Sequence, residues 1–360
     1  MLKYILSSIC IFTAILFYPL DIFKGYDDND SANNYSLLSL LESKYTNDSK
    51  WNENYFHDAI FPENGITIFT NIIFSNSFIS KKGCKFHCII TFNDGTKYVF
   101  NKDYKENEYT TSKNKFLMTF DENKIELIDN NYYLKLKDDN INLTLKYEIK
   151  NPPHRFGSGI INIDSNNFLA FSQPIAGADV IGSIVYKDKS ITLSGKGSLN
   201  HDYSVTAPLK NPLKWRSFWL YNDNYTILIN TIILKDNTQV DRVIIYREGK
   251  ILKSILNAGL KSYNYTIDKK NAFNYPQNFL INYSDKNGDN IIAQISFKEF
   301  TDKIQAFSHL SSFVHTVVSN TVGEMWVYRF WADASFKIKI GTLNETINIS
   351  GIGNYVDVDK

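Results

Sequence analysis

The sequence has few cysteines. Its 360 residues include 3, namely Cys10, Cys84 and Cys88, and such an odd, low number argues against a disulfide framework. In an extended strand Cys84 and Cys88 would lie about 13 Å apart, beyond the reach of a disulfide. Their spacing is also a poor zinc signal without a second pair of ligands. We therefore expect buried, unpaired thiols and no metal site.

The sequence also lacks an excess of either charge. Lys and Arg together number 39 and Asp and Glu 38, so there is no basic surplus to suit a phosphate backbone, and nucleic acid is not expected as a partner. What is abundant is apolar and aromatic side chains, at 43% and 15% of residues. The chain can therefore fill a large core and is not disordered.

The common catalytic motifs are missing as well. There is no G-x-S-x-G, H-E-x-x-H, P-loop or dinucleotide-binding fingerprint. Gly195-Lys196-Gly197 is too short to cradle a phosphate, and a crossing of strands relieved by glycine explains it better. No cofactor is predicted.

One adjacent pair, His201 and Asp202, is a candidate for acid–base catalysis if the protein is an enzyme. Neighbouring residues on a strand point to opposite faces, so the pair would converge only in a turn. The alternative is that His201 packs at a barrel rim while Asp202 faces water.

The first twenty residues are almost uniformly apolar, with no charge between Lys3 and Asp21. This predicts a membrane-associating helix over residues 1–24, followed by a polar linker over 25–50 in which Leu37 to Leu41 could form one small helix. A cleaved signal peptide, an uncleaved anchor and an interfacial helix all remain open. The side chains predicted to enter the membrane are Leu2, Ile5, Leu6, Ile9, Phe12 and Leu16.

From about residue 51 the apolar pattern has a period of two. Residues 141–150 alternate throughout, as do 130–137 and 335–341, which is typical of half-buried antiparallel strands. Asp94-Gly95, Glu248-Gly249 and Asn287-Gly288 supply hairpin turns. Many short strands predict an all-β fold of sandwiches or barrels.

One late segment is different. Over residues 301–323 the apolar residues recur at a spacing of three or four, which predicts an amphipathic helix with Thr301 as its N-cap and Gly323 as its end. His309 and His315 would diverge by about 120° on that helix. They are interpreted as ordinary, partly exposed histidines.

The body is predicted to divide into 51–194 and 195–357, each the size of one lipocalin-like barrel. Bulky groups lie on both faces of the strand over 215–221, as expected of a wall between a cavity and a packed layer. The residues predicted to line a lipid pocket are Trp215, Phe218, Trp219 and Tyr221. Plain core filling is the alternative.

Several stretches together resemble the survival factor 1 family of fungi. They are "MLKYI" at the start, "GITIFTNIIFSNSF" (65–78), "DVIGSIVYKDKSITLSGKG" (179–197), "NYPQNFLINYSDKNGDNIIAQISF" (274–297) and "HLSSFVHTVVSNTVGEMWVYRFWADASFKIKIG" (309–341). Their order and spacing agree over most of residues 50 to 355. The segment "NHDYSV" departs from the pattern expected of close members.

The resemblance implies two tandem lipocalin-type (calycin) antiparallel barrels and an N-terminal membrane helix. It also implies non-enzymatic binding of ceramide or a similar sphingolipid, its transfer from endoplasmic reticulum to Golgi, and a part in survival under oxidative stress. The protein would be peripheral on these membranes from the cytosol, or else anchored or luminal. The alternatives are a hydratase or cyclase on the same double barrel, and a secreted or luminal lipocalin-like binder.

Overall fold

The computed structural model describes residues 35–359 apart from 45, 77–82, 113–114, 157–158, 165, 206–213, 234–236, 271–272 and 306–323. The predicted membrane helix over residues 1–24 lies outside this range. Within it, no helix is both long enough and apolar enough to span a bilayer.

The described chain is all-β, as the sequence predicts, with one short helix, α1 (Leu37–Leu41), and a 3₁₀ turn at Pro62–Asn64. Strands β1 to β12 are Trp51–Phe61, Ile66–Ser75, Gly83–Thr91, Lys97–Tyr104, Tyr109–Ser112, Leu117–Phe120, Asn123–Ile128, Asn131–Lys137, Ile141–Ile149, Ile160–Asp164, Asn167–Tyr186 and Lys189–Val205. Strands β13 to β21 are Lys214–Tyr221, Tyr225–Ile233, Gln239–Arg247, Lys250–Leu256, Lys261–Asp268, Phe273–Ser284, Asn290–Gln305, Glu324–Ile340 and Leu343–Asp359.

The first sheet has 12 strands in the order β4-β3-β2-β1-β12-β11-β9-β8-β7-β6-β5, with β10 paired to β11 outside this path. All its ladders are antiparallel. Its first and last strands in chain order, β1 and β12, are neighbours in the middle of the sheet. Side chains from its opposite edges meet in the interior: the rings of Tyr104 in β4 and Phe120 in β6 lie 5.4 Å apart, as do those of Phe74 in β2 and Tyr109 in β5. The sheet therefore curls almost into a barrel.

The second sheet has 9 strands in the order β16-β15-β14-β13-β21-β20-β19-β18-β17. It also curls back on itself. Lys253 of β16 reaches Asp285 at 2.8 Å and Asp289 at 2.7 Å in the turn between β18 and β19. The rings of Phe218 and Phe279 meet inside, 4.8 Å apart. Each sheet thus encloses its own apolar core.

Local predictions from the sequence are confirmed in several places. Alternate residues of β9 are buried from Ile141 to Tyr147. Gly95, Gly249 and Gly288 have positive φ in hairpin turns, where glycine is favoured. The small helix forms at Leu37–Leu41 because Ser36 caps it, its hydroxyl accepting from the amide of Ser39 at 3.1 Å, and because three of its leucines are buried.

The predicted division between residues 194 and 195 falls inside β12. That strand pairs with β11 from Lys189 to Val205 and with β1 from Lys196 to Val205, so the first sheet continues to Val205 and the second begins at Lys214. The glycines do mark a close crossing. A Cβ on Gly195 would lie 2.0 Å from the carbonyl oxygen of Ile60, and one on Gly197 would lie 2.6 Å from that of Asp58.

The predicted helix over 301–323 is wrong at its start. Thr301 to Gln305 are the last residues of β19, where Ile304 pairs with Val327. Irregularities between Phe297 and Glu299 and between Phe300 and Asp302 each shift the register. Each shift marks a bulge, which adds a residue to the strand just before the predicted helix begins. His309, His315 and the rest of that segment lie outside the described residues.

A third apolar cluster lies between the two sheets. It joins Ile60 and Ala176 of the first sheet to Trp219, Tyr246 and others of the second. A buried ion pair crosses the same interface, because the guanidinium of Arg329 in β20 donates to the carboxylate of Asp58 in β1, and both side chains are under 10% exposed. The halves therefore pack through a continuous, partly charged interface.

Candidate functional site between the two sheets

The His201–Asp202 pair does not form a unit. The His201 ring lies in the interior of the first sheet, stacked on Tyr55 with ring centroids 4.3 Å apart. The next residue, Asp202, lines a cavity between the sheets together with Trp219 and Arg242. The two side chains are thus on opposite faces of β12, as alternation along a strand requires.

His201 is held by acceptors on both ring nitrogens. Its Nδ1 lies 2.5 Å from the carbonyl oxygen of Leu40, and its Nε2 lies 2.7 Å from Oε1 of Glu53. Because a carbonyl only accepts, Nδ1 carries a proton. Glu53 also accepts from the amide of Lys44 at 2.8 Å and from the hydroxyl of Ser43 at 2.6 Å. Both oxygens of the Glu53 carboxyl group thus have hydrogen-bond partners.

The His201–Glu53 pair is a buried hydrogen-bonded pair, with both side chains at or near zero exposure. The hydroxyl of Tyr55 donates to Oε1 of Glu53 at 3.2 Å and to the carbonyl of Leu41 at 2.9 Å. Burial, together with the Glu53 charge, holds the pKa of Tyr55 well above its usual value. This network fastens α1 to the first sheet through His201, Glu53 and Tyr55.

Asp202 has different surroundings. It lines an interface cavity of about 30 Å³, room for about two water molecules. The apolar part of the wall consists of Phe156, Phe171, Trp219, Leu228 and Ile244. The polar part consists of His154, Arg155, Ser172, Gln173, Asn200, Asp202, Asn230 and Arg242. The cavity therefore has one apolar side and one side rich in hydrogen-bonding groups.

Burial in this cavity changes two acid–base groups. Part of the Asp202 side chain is accessible from the cavity, but protein encloses the rest, and this burial raises the pKa of its carboxyl to about 8, with the positive charge of Arg242 acting in the opposite direction. Burial, together with the positive charge of Arg242, lowers the pKa of His154 to about 4. At neutral pH Asp202 is mostly a neutral acid that can donate a hydrogen bond, and His154 is a neutral imidazole.

Neighbours fix the polar side chains around Asp202. Gln173 donates from Nε2 to Oδ1 of Asn200 over 2.5 Å. The guanidinium carbon of Arg242 lies 5.0 Å from the ring centroid of Phe171 and 5.6 Å from that of Phe156. Cation–π contacts of this kind hold an arginine in place without neutralising it. A ligand entering the cavity would meet a preformed polar wall.

The four residues predicted to line a lipid pocket separate by face. Trp215, Trp219 and Tyr221 belong to the interface cluster, and of these Trp219 lines the cavity. Phe218 lies on the other face of β13, in the core of the second sheet. The predicted wall with bulky groups on both faces exists, but the cavity is on the interface side only.

Sequence reasoning missed His154, Gln173 and Arg242. Only one of them carried a usable signal. Arg242 stands in the strand "QVDRVIIYR", where a charge in the middle of an apolar run indicates a buried partner or a site. His154 and Gln173 pair through an isolated bridge outside any regular pattern.

The cysteines are as predicted where they are described. Cys84 and Cys88 are buried and unpaired. Burial raises the pKa of the Cys88 thiol to about 12 and that of Cys84 further. Within the described ranges no three side chains are grouped so as to hold a metal ion.

Comparison with solved structures shows the fold. CghA bound to Sch210972 shares 9% identity, with 86% of this chain and 89% of that chain covered and a TM-score of 0.63. A putative AttH protein from Nitrosomonas europaea shares 11% identity, covering 86% and 92%, with a TM-score of 0.60. Kievitone hydratase from Nectria haematococca shares 10% identity, covering 92% and 95%, with a TM-score of 0.59.

These likenesses extend over both sheets and support the lipocalin-like fold that the resemblance implies. None of the curated protein sequences matches this chain significantly. A family model does: that of the Svf1 family matches residues 27–355. Because this match covers most of the sequence, the chain belongs to the Svf1 family, the survival factor 1 family that its motifs resemble.

Proposed function

We propose that the protein is a non-enzymatic lipid carrier that holds ceramide or a related sphingolipid between its two sheets. The observation that carries this proposal is the interface cavity, with an aromatic and aliphatic wall facing a small set of converging polar groups. A ceramide has the same division, because two acyl chains adjoin a head of one amide and hydroxyls. Membership of the Svf1 family supports the same function.

The site would have to open for such a ligand. The cavity holds about two waters, and the cores of both sheets are filled by fully buried rings such as Phe86, Tyr132 and Phe279. We therefore propose that the acyl chains enter by parting the interface cluster around Trp219 rather than by filling either sheet. Each methylene buried there would contribute about 0.8 kcal/mol, which offsets the separation of apolar contacts.

The cellular setting belongs to the same proposal. The protein would move ceramide from endoplasmic reticulum to Golgi as a peripheral protein reached from the cytosol, and this transfer would contribute to survival under oxidative stress. Residues 1–24, held on the membrane surface, would keep it near its donor and acceptor bilayers. An anchored or luminal placement is the alternative.

Lipid mass spectrometry of protein purified from its own cells tests the carrier. We expect ceramides to be enriched over bulk phospholipids, and Trp219→Asp to reduce this enrichment by placing a charge in the apolar wall. Ser194→Ala, an exposed change elsewhere on β12, is the matched control. A wild-type preparation that is folded and free of lipid would overturn the proposal.

A second candidate function, a hydratase or cyclase for a hydrophobic substrate, is favoured by Asp202. A carboxylic acid with a pKa of about 8 inside a cavity is suited to general-acid catalysis near neutral pH. Two proteins of similar fold are a hydratase and CghA, although identities of 9 and 10% speak for the fold alone.

Asp202→Asn separates the two functions. The amide keeps the size of the acid and can still donate a hydrogen bond, but it has no proton to transfer. A carrier should therefore keep its ceramide transfer within a few-fold, whereas an enzyme should lose turnover by roughly 10² to 10⁴. Vesicle-to-vesicle transfer and product formation from candidate substrates are measured on the same variant. Loss of transfer with a normally folded variant would contradict the carrier as stated.

A further inference from the structure

The edge strand β17 exposes three large apolar side chains at every second position. Tyr263 is 37% exposed, Tyr265 51% and Ile267 59%. The strand ends the second sheet, so in the part of the chain that the structure describes no further strand continues the ladder beyond it. A soluble surface rarely gathers this much apolar area on an edge without a use for it.

Unpaired positive charge flanks this row. Lys261 stands at one end of β17 and Lys269 and Lys270 follow the other, all three exposed. None of their ammonium groups has a carboxylate partner among the described residues. The one acid of the strand, Asp268, is buried and is already paired with Lys303 at 2.8 Å.

An edge strand of the first sheet, β4, gives a contrast. On edge strand β4 of the first sheet, Val99 is the one large apolar side chain with substantial exposure, at 54%. The lysines of that strand are neutralised: Lys97 pairs with Asp302 and Lys102 with Asp121. The free cations and the apolar row therefore occur together on β17 and not on β4.

The backbone of β17 is poorly suited to accept a partner strand. Asn264, between the two tyrosines, has a φ of 54°, in the left-handed region. Its side-chain Nδ2 donates to Oδ1 of Asn278 at 2.9 Å. This residue interrupts the extended backbone in the middle of the edge. Terminal lysines further disfavour edge-to-edge pairing. The occupant of this row is thus better sought among surfaces that need no ladder.

We propose that β17 is a docking surface for an anionic lipid bilayer. Tyrosines lie favourably at the level of the headgroups with the ring in the apolar region and the hydroxyl in water. Lysines attract acidic headgroups while their stems cover apolar surface. The contact is separate from the interface cavity and from residues 1–24, and it holds whether the protein is a carrier or an enzyme.

A fluorescent label on the full chain tests this surface directly. Tyr265→Cys, with Cys10→Ser, is labelled with an environment-sensitive dye; Cys84 and Cys88 are buried with high thiol pKa values and stay unlabelled. Vesicles of phosphatidylcholine containing phosphatidylserine should raise and blue-shift its emission, pure phosphatidylcholine should do so less, and salt should reverse the effect. A label at Ser190→Cys, at the exposed start of β12 in the first sheet, should not respond.

Charge reversal supplies the second measurement. Lys269→Glu with Lys270→Glu should weaken the vesicle affinity reported by the label at residue 265 by roughly tenfold or more. The matched control, Lys187→Glu in the turn between β11 and β12 with Lys189→Glu at the start of β12, should leave it unchanged. An unresponsive label at residue 265 on chains that pellet with vesicles would show that residues 1–24 alone make the contact. An emission change with protein concentration, without vesicles, would indicate a second chain instead. Either result overturns the proposal.

Discussion

His201 and Asp202, neighbours in β12, point to opposite faces of the first sheet. Alternation along a strand was enough to predict that His201 and Asp202 diverge. It was not enough to predict their partners, because Glu53 lies 148 residues and Leu40 161 residues away from His201 in the sequence. The expectation that Asp202 faces open water fails for the same reason, since the wall opposite it is built by the second sheet. Contacts this distant leave no local pattern.

Asp202 should make stability fall as pH rises from 6.5 to 8. Its pKa is about 8 when folded against an ordinary value of 3.8, so in this window the unfolded chain has lost a proton that the folded chain keeps, and rising pH favours unfolding. The expected slope is about 1.4 kcal/mol per pH unit at pH 6.5 and falls to about half of that at pH 8. Urea unfolding of wild type and Asp202→Asn at several pH values measures it, and the variant should lack the slope.

Histidines contribute an opposite slope at the start of this window. His154 and His57 have pKa values lowered to about 4 and about 3, so their contributions to stability rise with pH, are at half strength at pH 6.5 and fade above it. They cancel when the slope of the variant is subtracted from that of wild type. Equal slopes for wild type and variant above pH 6.5 would mean that the Asp202 carboxyl is ionised in the folded protein.

At the level of elements, strands with plain alternation were predictable and strands with irregularities were not. Strand β9 and the hairpin turns follow from period and turn chemistry alone. The end of strand β19, Thr301 to Gln305, is predicted as a helix because it leads into a run of apolar residues spaced three or four apart. The length of β12 was underestimated because Gly195 and Gly197 resemble the end of a strand, whereas they allow it to cross β1 closely.

Gly195→Ala should therefore destabilise the protein. Its Cβ would lie 2.0 Å from the carbonyl oxygen of Ile60, a backbone atom that cannot turn aside. Overpacking of this kind typically costs about 1–3 kcal/mol in the free energy of unfolding, measured by urea titration. Ser194→Ala, its exposed neighbour, is the control and should change little. A variant as stable as wild type would show that β1 and β12 can move apart freely.

For the whole molecule, the prediction of an all-β fold with two barrel-like units is confirmed, because the described chain forms two large sheets that each curl almost into a barrel. Family motifs and strand periods indicated two β units in tandem, and each sheet is built from consecutive segments of the chain. The interface between them could not be predicted, because its residues are apolar positions that look like ordinary core in sequence. The cavity at this interface could not be predicted from the sequence for the same reason, because residues of both sheets line it.

Asp58→Asn should loosen that interface. It leaves the Arg329 guanidinium, 3% exposed and 4.1 Å from the ring centroid of Phe69, without its carboxylate. Breaking one side of a buried pair costs about 3–5 kcal/mol, read from urea unfolding. The double variant Asp58→Asn with Arg329→Met should recover much of this loss, because no unpaired charge remains. Equal losses in the single and double variants would contradict the account.

The order of the strands also sets the order in which the protein can be made. Because β12 completes the ladder with β1, the first half can fold on the ribosome before the second half has been synthesised. Its interface face, with Ile60, Ala176 and the Asp58 carboxylate, then stays uncovered, since Arg329 is translated 271 residues after Asp58. During that interval the nascent chain exposes an apolar surface that also carries an unpaired carboxylate. We expect the time spent waiting for β20, rather than the closure of either sheet, to be the stage at which chaperones are most needed.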